Sequence, residues 1–308
     1  MTAAPDDPRT AVDPTTGRPI LMAPLRQQRP MHTGPRAVTA NCPFCQGQEH
    51  DTPPEVDVEC DLPGHEPRQA NAAGWVARAF PNKYPANLHH EVIAEGRYHH
   101  EQPSDLDVDC WRRCLLLWRR RVQAIEQRPG IACTFLFKNV GAAAGASIAH
   151  NHSQVLGLPE LPPRLQLELA MARASVRCPW CATLASAAAE HRLVFAAAHH
   201  AVVSPEPPKL PHETWLLPTR CDDDFLTTDL DSLATALQAL FLAVARGLQR
   251  PAFNLWLHRV PGQRFHWHFE LQPRTGQMAG LELGGDMYIN SLPATTSAAR
   301  LRAGLAGA

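Results

Sequence analysis

The sequence predicts an α+β protein of two tandem domains, each an antiparallel sheet with one packed helix, behind an extended N-terminal arm. Three observations predict it. The chain has 308 residues, too many for one ordinary core and enough for two packed units. Its 44% hydrophobic and 19% charged residues exclude wholesale disorder. The order strand, strand, helix, strand, closed by a His-x-His strand, occurs twice along the chain.

Residues 1–36, rich in Pro, Asp, Thr and Arg, read as an arm with at most one short strand around Ile20-Leu21-Met22-Ala23. Residues 37–165 carry the first repeat. Gly74 to Glu95 holds two strand-like runs around a loop rich in Pro and Asn. Val108, Trp111, Leu115, Trp118, Val122 and Ile125 then form the stripe of a buried helix face. Ser104 is placed to cap this helix, Asp105 and Asp107 favour its positive end, and Pro129-Gly130 stops it. A strand from Ile131 to Phe137 leads into the small-residue loop Gly141 to Ser147. Residues 166–308 repeat the order. His200 to Pro218 gives two strand-like runs, and Leu230, Leu233, Leu237, Leu240, Val244 and Leu248 give a helix stripe that stops near Pro251. The strand Phe253 to His258 follows.

The repeat is tightest at polar positions. Cys42-x-x-Cys45 is matched by Cys178-x-x-Cys181, and His90-Glu91 by His212-Glu213. Eight residues beyond each Glu stands a ligand-type residue, His99 or Cys221. His150-Asn151-His152 is matched by His266-Trp267-His268. Tetrahedral zinc takes four Cys or His ligands, and two Cys spaced by two residues supply a pair from one turn. The halves therefore offer Cys42, Cys45, His99 and His150, and Cys178, Cys181, Cys221 and His266, for two Zn2+ per chain. His at 99 and Cys at 221 exchange one ligand type for another, which metal binding explains. The competing readings are a thioredoxin-like redox pair, which needs no distant His, and plain buried thiols. With four protein ligands each, the two sites are structural. Cys60, Cys110, Cys114 and Cys133 read as core or incidental thiols.

The densest chemistry lies between Gly141 and Leu158. Alternation along a strand puts His150, His152 and Gln154 on one face. The preceding Gly/Ala/Ser loop lets backbone N–H groups approach phosphate oxygens. His150 is assigned to metal, which leaves His152 as a rigidly held imidazole, a competent nucleophile toward phosphorus near neutral pH. Gln154 can donate to the charge growing on the phosphoryl oxygens. The alternative for His-x-His-x-Gln is a polar solvent face of a sheet. The second half has Glu270 where the first has Gln154, and no Gly-rich loop. A carboxylate there repels phosphate, so His268 and Glu270 read as non-catalytic, contributing to metal or packing.

Charge and cysteine usage bound the partners. Lys+Arg 29 against Asp+Glu 30 gives a net charge of −1, which argues against a protein built to coat nucleic acid. No apolar run reaches the roughly 18 residues of a membrane span. The N-terminus shows no basic n-region followed by an apolar h-region, and nine Cys is an odd number, so a secreted disulfide framework is not expected. The expectation is a cytoplasmic protein with neither nucleic acid nor membrane as partner.

The segments DPTTGRPILMAPLRQQRP, NCPFCQGQE, RAFPNKYPA with HHEVIAE, FKNVGAAAGASIAHNHSQ and GLELGGDMYIN resemble the galactose-1-phosphate uridylyltransferase family, within the histidine-triad superfamily. The resemblance covers most of the chain and implies two tandem histidine-triad-like domains and a homodimer. It implies a ping-pong nucleotidyl transfer in which His152 attacks the α-phosphorus of a sugar nucleotide and a sugar 1-phosphate takes up the nucleotide. By residue match, Arg26 and Arg29 pair with phosphates, Phe80 and Asn82 contact base and ribose, Asn139 and Ser147 flank the phosphates, and Glu282 binds sugar hydroxyls. Zinc ligands carry over to Cys42, Cys45, His99 and His150. The sequence departs from the family at Asn151, where Pro is common, and at Lys83, where uridylyl-specific members tend to have an acid. A second Cys-x-x-Cys is similar to relatives that include ADP-sugar phosphorylases, which use inorganic phosphate. The leading reading is thus a hexose-1-phosphate nucleotidylyltransferase. Its rivals are a phosphorylase of ADP-sugars or dinucleoside polyphosphates, and a non-catalytic zinc-stabilised nucleotide binder.

Overall fold

Ten strands of the chain join into one antiparallel sheet in the computed structural model, which describes residues 8–28, 42–60, 69–99 and 102–306. The first half supplies β3 (Asp57–Cys60), β4 (Trp75–Pro81), β5 (His90–Glu95), β6 (Cys133–Val140) and β7 (His152–Leu158). The second supplies β8 (Leu193–Ala196), β9 (His200–Val203), β10 (Thr214–Pro218), β11 (Phe253–His258) and β12 (His268–Pro273). Read from each outer edge inward, the orders are β3-β4-β5-β7-β6 and β8-β9-β10-β12-β11. The two meet at β6 and β11, where Val140 pairs with Phe253 and Asn139 with Asn254. The duplication is thus one continuous open sheet joined at the middle, which leaves no free edge between the halves.

One face of the sheet carries α1 (Val108–Glu126) and α4 (Leu230–Gly247), the two helices expected from their stripes. Asp107 caps α1 by accepting from the Cys110 amide at 2.8 Å, and Asp229 caps α4 from the Ser232 amide at 2.7 Å. Ser104, the cap read from the sequence, instead lies in a 3-10 turn, Pro103–Asp105, because the helix starts one turn later. Trp111, Leu115, Trp118, Val122 and Ile125 of α1 share one core with Leu233, Leu237, Leu240 and Val244 of α4 and with β-strand residues of both halves. By length and composition α4 could cross a membrane, yet most of it is buried in this core.

The opposite face carries the chemistry of both halves. There α2 (Pro163–Ala174) and α3 (Pro179–Ala187) cover the second half, where Leu165, Leu169 and Trp180 pack with Val203, Leu217 and Phe265. The chain division read at residue 165 falls inside α2, whose apolar residues lie with the second half. Two more helices, α5 (Gly280–Gly285) and α6 (Ala294–Leu305), follow β12; α6 packs on α4. The arm holds two strands rather than one, β1 (Arg9–Val12) and β2 (Pro19–Met22), closed by a turn in which Asp13 accepts from the amide and hydroxyl of Thr15.

The match between His90-Glu91 and His212-Glu213 needs correcting. Gln154 pairs across with Val92, and Glu270 pairs with Trp215. Counting back two residues, the partner of His90 in the second half is Glu213, not His212. A one-residue slip exchanges the faces of a strand. Glu91 accordingly binds Arg121 beneath the sheet, whereas Glu213 points to the same side as Glu270.

Candidate functional site

Four side chains from three segments close the first metal cluster. The ligand atoms of Cys42, Cys45, His99 and His150 all lie within 4.8 Å of one another. Cys45 Sγ is 3.5 Å from His150 Nδ1, and the other ring nitrogen of His150, Nε2, is 3.1 Å from the Gly96 carbonyl. A carbonyl only accepts, so Nε2 carries the proton and Nδ1 has its lone pair turned to the thiols, the way a zinc-binding His is held by a carbonyl on its far nitrogen. The residues fit a tetrahedral ion. Burial pushes the Cys42 thiol up to about 12.

The second cluster repeats this design. His266 Nδ1 lies 3.4 and 3.6 Å from the sulfurs of Cys178 and Cys181, and His266 Nε2 donates to the Pro218 carbonyl at 2.9 Å. Cys221, read as the fourth ligand, stands outside this compact group of three, though its thiol interacts with that of Cys181.

Beside the first cluster a cleft opens, lined by Phe44, Phe80, Val92 and Ile148 on its apolar side and by Asp51, Thr52, Asn82, Ser147, His152 and Gln154 on its polar side. β7 begins at His152, two residues after His150 of the first cluster. His152 Nδ1 donates to the His150 carbonyl at 2.8 Å. That bond fixes the tautomer, with the proton on Nδ1 and the lone pair on Nε2. The edge of the Phe44 ring meets the imidazole, with centroids 5.3 Å apart.

Gln154 is oriented by a relay that the sequence did not reveal. The Ala86 amide donates to His90 Nδ1 at 2.9 Å, so the His90 proton sits on Nε2. His90 Nε2 then donates to Gln154 Oε1 at 2.9 Å, and Asn82 Nδ2 approaches the same oxygen at 3.4 Å. With its oxygen taken, the Gln154 amide is left to present its NH2 as the donor to a ligand. Asn82 Oδ1 is itself held by the Tyr84 amide at 2.8 Å. His90 appeared in the sequence only as a repeat landmark; its period-two spacing from Val92, which faces Gln154, was the available signal.

The remaining predicted residues divide. Phe80, Asn82 and Ser147 line the cleft. Asn139 lies on β6 two residues from Phe137, which pairs with Gln154, and so shares its face. Arg26 sits in a 3-10 turn, Pro24–Gln28, and donates to the carbonyl of Tyr84, a cleft residue, at 2.9 Å. Arg29 lies outside the described residues. Glu282 lies outside the cleft lining: it is half-buried on α5 and accepts from the amides of Ala279 and Ile289.

In the second half the equivalent position is filled. Glu270 is held by Arg164 at 2.7 and 2.8 Å and by Lys209 at 3.3 Å, while Glu168 lies 2.8 Å from His258 Nδ1. Burial would raise the Glu270 carboxyl, but His258, His268, Lys209 and Arg164 hold it well below the usual carboxylate range. Trp180 and Trp215 crowd the His268 ring, with centroids at 5.1 and 5.6 Å. Ligand atoms of Glu168, His258, His268 and Glu270 gather within 4.8 Å, a group with metal-ligating chemistry, of which the sequence pointed to His268 and Glu270.

Residues 122–306, more than half of the chain, match the family described as "Domain of unknown function (DUF4921)". A relative named ADP-glucose phosphorylase, from Arabidopsis thaliana, is 28% identical over 92% of this chain and 89% of its own. The crystal structure of an ADP-glucose phosphorylase from Arabidopsis thaliana with bound ADP-glucose aligns at a TM-score of 0.74 and 27% identity, covering 96% of this chain and 98% of that one. A structure described as uridylyltransferase aligns at 0.78 and 25% identity, covering 97% and 98%. The chain belongs to the DUF4921 family and, in sequence and fold, to the wider galactose-1-phosphate uridylyltransferase-like group.

Proposed function

We propose that this chain is a nucleotidyltransferase that takes a nucleoside monophosphate from a sugar nucleotide, holds it covalently on His152 and passes it to a phosphate-bearing acceptor. One observation carries the reading: His152, held by the His150 carbonyl in the tautomer with an unprotonated Nε2, lines a cleft with an apolar wall on one side and amide side chains on the other. In the first step Nε2 attacks the α-phosphorus. The N–P bond forms, the bond from that phosphorus to the bridging oxygen breaks, and sugar 1-phosphate leaves with the electron pair. Gln154 donates to the charge on the non-bridging oxygens. In the second step an acceptor phosphate oxygen attacks the same phosphorus and the lone pair returns to Nε2.

Arg26, Arg29, Asn139 and Ser147 serve the phosphates in this reading, and Phe80 and Asn82 the base and ribose. Two Zn2+ belong to it, one on Cys42, Cys45, His99 and His150 and one on Cys178, Cys181, Cys221 and His266; bound zinc supplies cross-links rather than chemistry. A homodimer also belongs to it, and the exposed Leu283, Met287 and Ile289 beyond β12 offer apolar surface for it. Inorganic phosphate is the acceptor favoured by the ADP-glucose phosphorylase relative; the uridylyltransferase relationship supports hexose 1-phosphate as the second reading.

Intact mass after mixing with ADP-glucose, and separately with UDP-glucose, without acceptor tests the mechanism. An adduct of one nucleoside monophosphate is expected, absent in His152→Ala. No adduct with either donor, or one that survives His152→Ala, overturns the nucleophile. Adding inorganic phosphate or a hexose 1-phosphate to the adduct then identifies the acceptor by which one discharges it.

A further inference from the structure

The small-residue loop after β6 rests on the second half of the chain. Gly141 opens it at φ +81, and a Cβ there would come within 2.8 Å of the Ala252 Cβ, so the loop lies flat against the start of β11. From β11, the buried Asn254 Nδ2 donates to the Ala144 carbonyl at 2.9 Å and to Asn139 Oδ1 at 2.7 Å. Arg274, just past β12, donates from Nε to Asn254 Oδ1 at 2.5 Å.

The directions of these bonds are not interchangeable. A guanidinium has donors only, so the atom of Asn254 facing Arg274 must be its oxygen. A backbone carbonyl only accepts, so the atom facing Ala144 must be nitrogen. Both anchors give the same orientation for Asn254. Its NH2 is therefore the group facing Asn139, and Asn139 must answer with its oxygen. The Asn139 NH2 is left turned away from β11, on the sheet face it shares with His152 and Gln154.

We propose that Arg274 and Asn254, residues of the non-catalytic half, are positioning residues that set the Asn139 amide donor toward the phosphates of the bound sugar nucleotide. The inference rests on the nucleotidyl-transfer reading above. Through the same amide Asn254 also pins the loop at Ala144, so the second half orders two parts of the first half's phosphate site.

The test is the rate of adduct formation on His152 from ADP-glucose or UDP-glucose, whichever loads the wild type. Asn254→Asp removes the donor to Asn139 while leaving an acceptor for Arg274. It is expected to slow adduct formation by about tenfold or more, the scale of losing one oriented donor. In an Asn139→Ala background the same substitution is expected to cost several-fold less, since its target is gone. Arg274→Gln serves as a second variant if Asn254→Asp does not fold, as judged by circular dichroism. Equal cost in both backgrounds, or no cost in a folded variant, would overturn the inference while leaving the His152 chemistry intact. A wild type that forms no adduct would overturn the chemistry and the inference together.

Discussion

His200 shows how a single residue carries a pH dependence. It lies at the start of β9 with both ring nitrogens near hydroxyls, Ser232 Oγ at 2.9 Å and Thr228 Oγ1 at 3.0 Å, and no exposed surface. Burial pushes its pKa down from 6.5 to about 4. The folded chain therefore keeps this ring neutral while the unfolded chain protonates it near pH 6.5. Its contribution to stability is complete above that pH and is lost as the pH falls toward 4, on the order of 3 kcal/mol in all. Urea midpoints at pH 7 and 4.5 should show a smaller acid loss in His200→Gln than in the parent; an equal loss would place the acid sensitivity elsewhere. The residues that carry chemistry were the most legible in the sequence, because Cys-x-x-Cys and His-x-His-x-Gln fix both the residue type and its spacing. Residues acting through others, His90 and Asn254, were not legible: their roles depend on which strand lies opposite, and register is not written in local sequence.

Between elements, β6, β5 and α1 are joined beneath His152 by a buried charge pair. Lys138 Nζ reaches Glu95 Oε2 at 2.5 Å and the His152 carbonyl at 3.1 Å, while Glu95 Oε1 accepts from Trp118 Nε1 at 2.9 Å and Ser153 Oγ at 2.6 Å. Both charges are fully buried. Removing one partner of such a pair leaves the other uncompensated and typically costs 3–5 kcal/mol, roughly. Lys138→Met should shift the denaturation midpoint accordingly, and adding Glu95→Gln should restore part of the loss; a Lys138→Met protein as stable as the parent would mean that the charge is not held here. The helices α1 and α4 were legible because a stripe of large apolar residues has only one period that fits it. The outer strands β3 and β8 were not, since each has only four residues and their partly exposed positions give no clear alternation.

At the scale of the molecule, the ten-stranded sheet binds both halves through β6 and β11, and each half carries its own Cys/His cluster away from that seam. Two zinc ions per chain are expected by elemental analysis of protein purified without chelator. Cys42→Ser should lose one of them and Cys178→Ser the other. Because thiols held high by burial must give up protons to bind metal, retention of the ion at the Cys42 cluster should weaken as the pH is lowered. Protein that elutes metal-free yet melts at the same temperature with and without added zinc would remove the metal from the account. The duplication was legible from four ordered landmarks; its geometry was not, because nothing in either half announces that the fourth strand of each will lie beside the other.

The slipped register of β10 makes the inequality of the two halves hard to undo. A Glu213→His exchange alone would set an imidazole where the first half has His90, yet Lys209 would lose one of its two carboxylate partners and Glu270 would still stand where the first half has Gln154. The difference between the two copies is thus held at several positions at once, with Trp215, Lys209 and Arg164 gathered around Glu270 and His268.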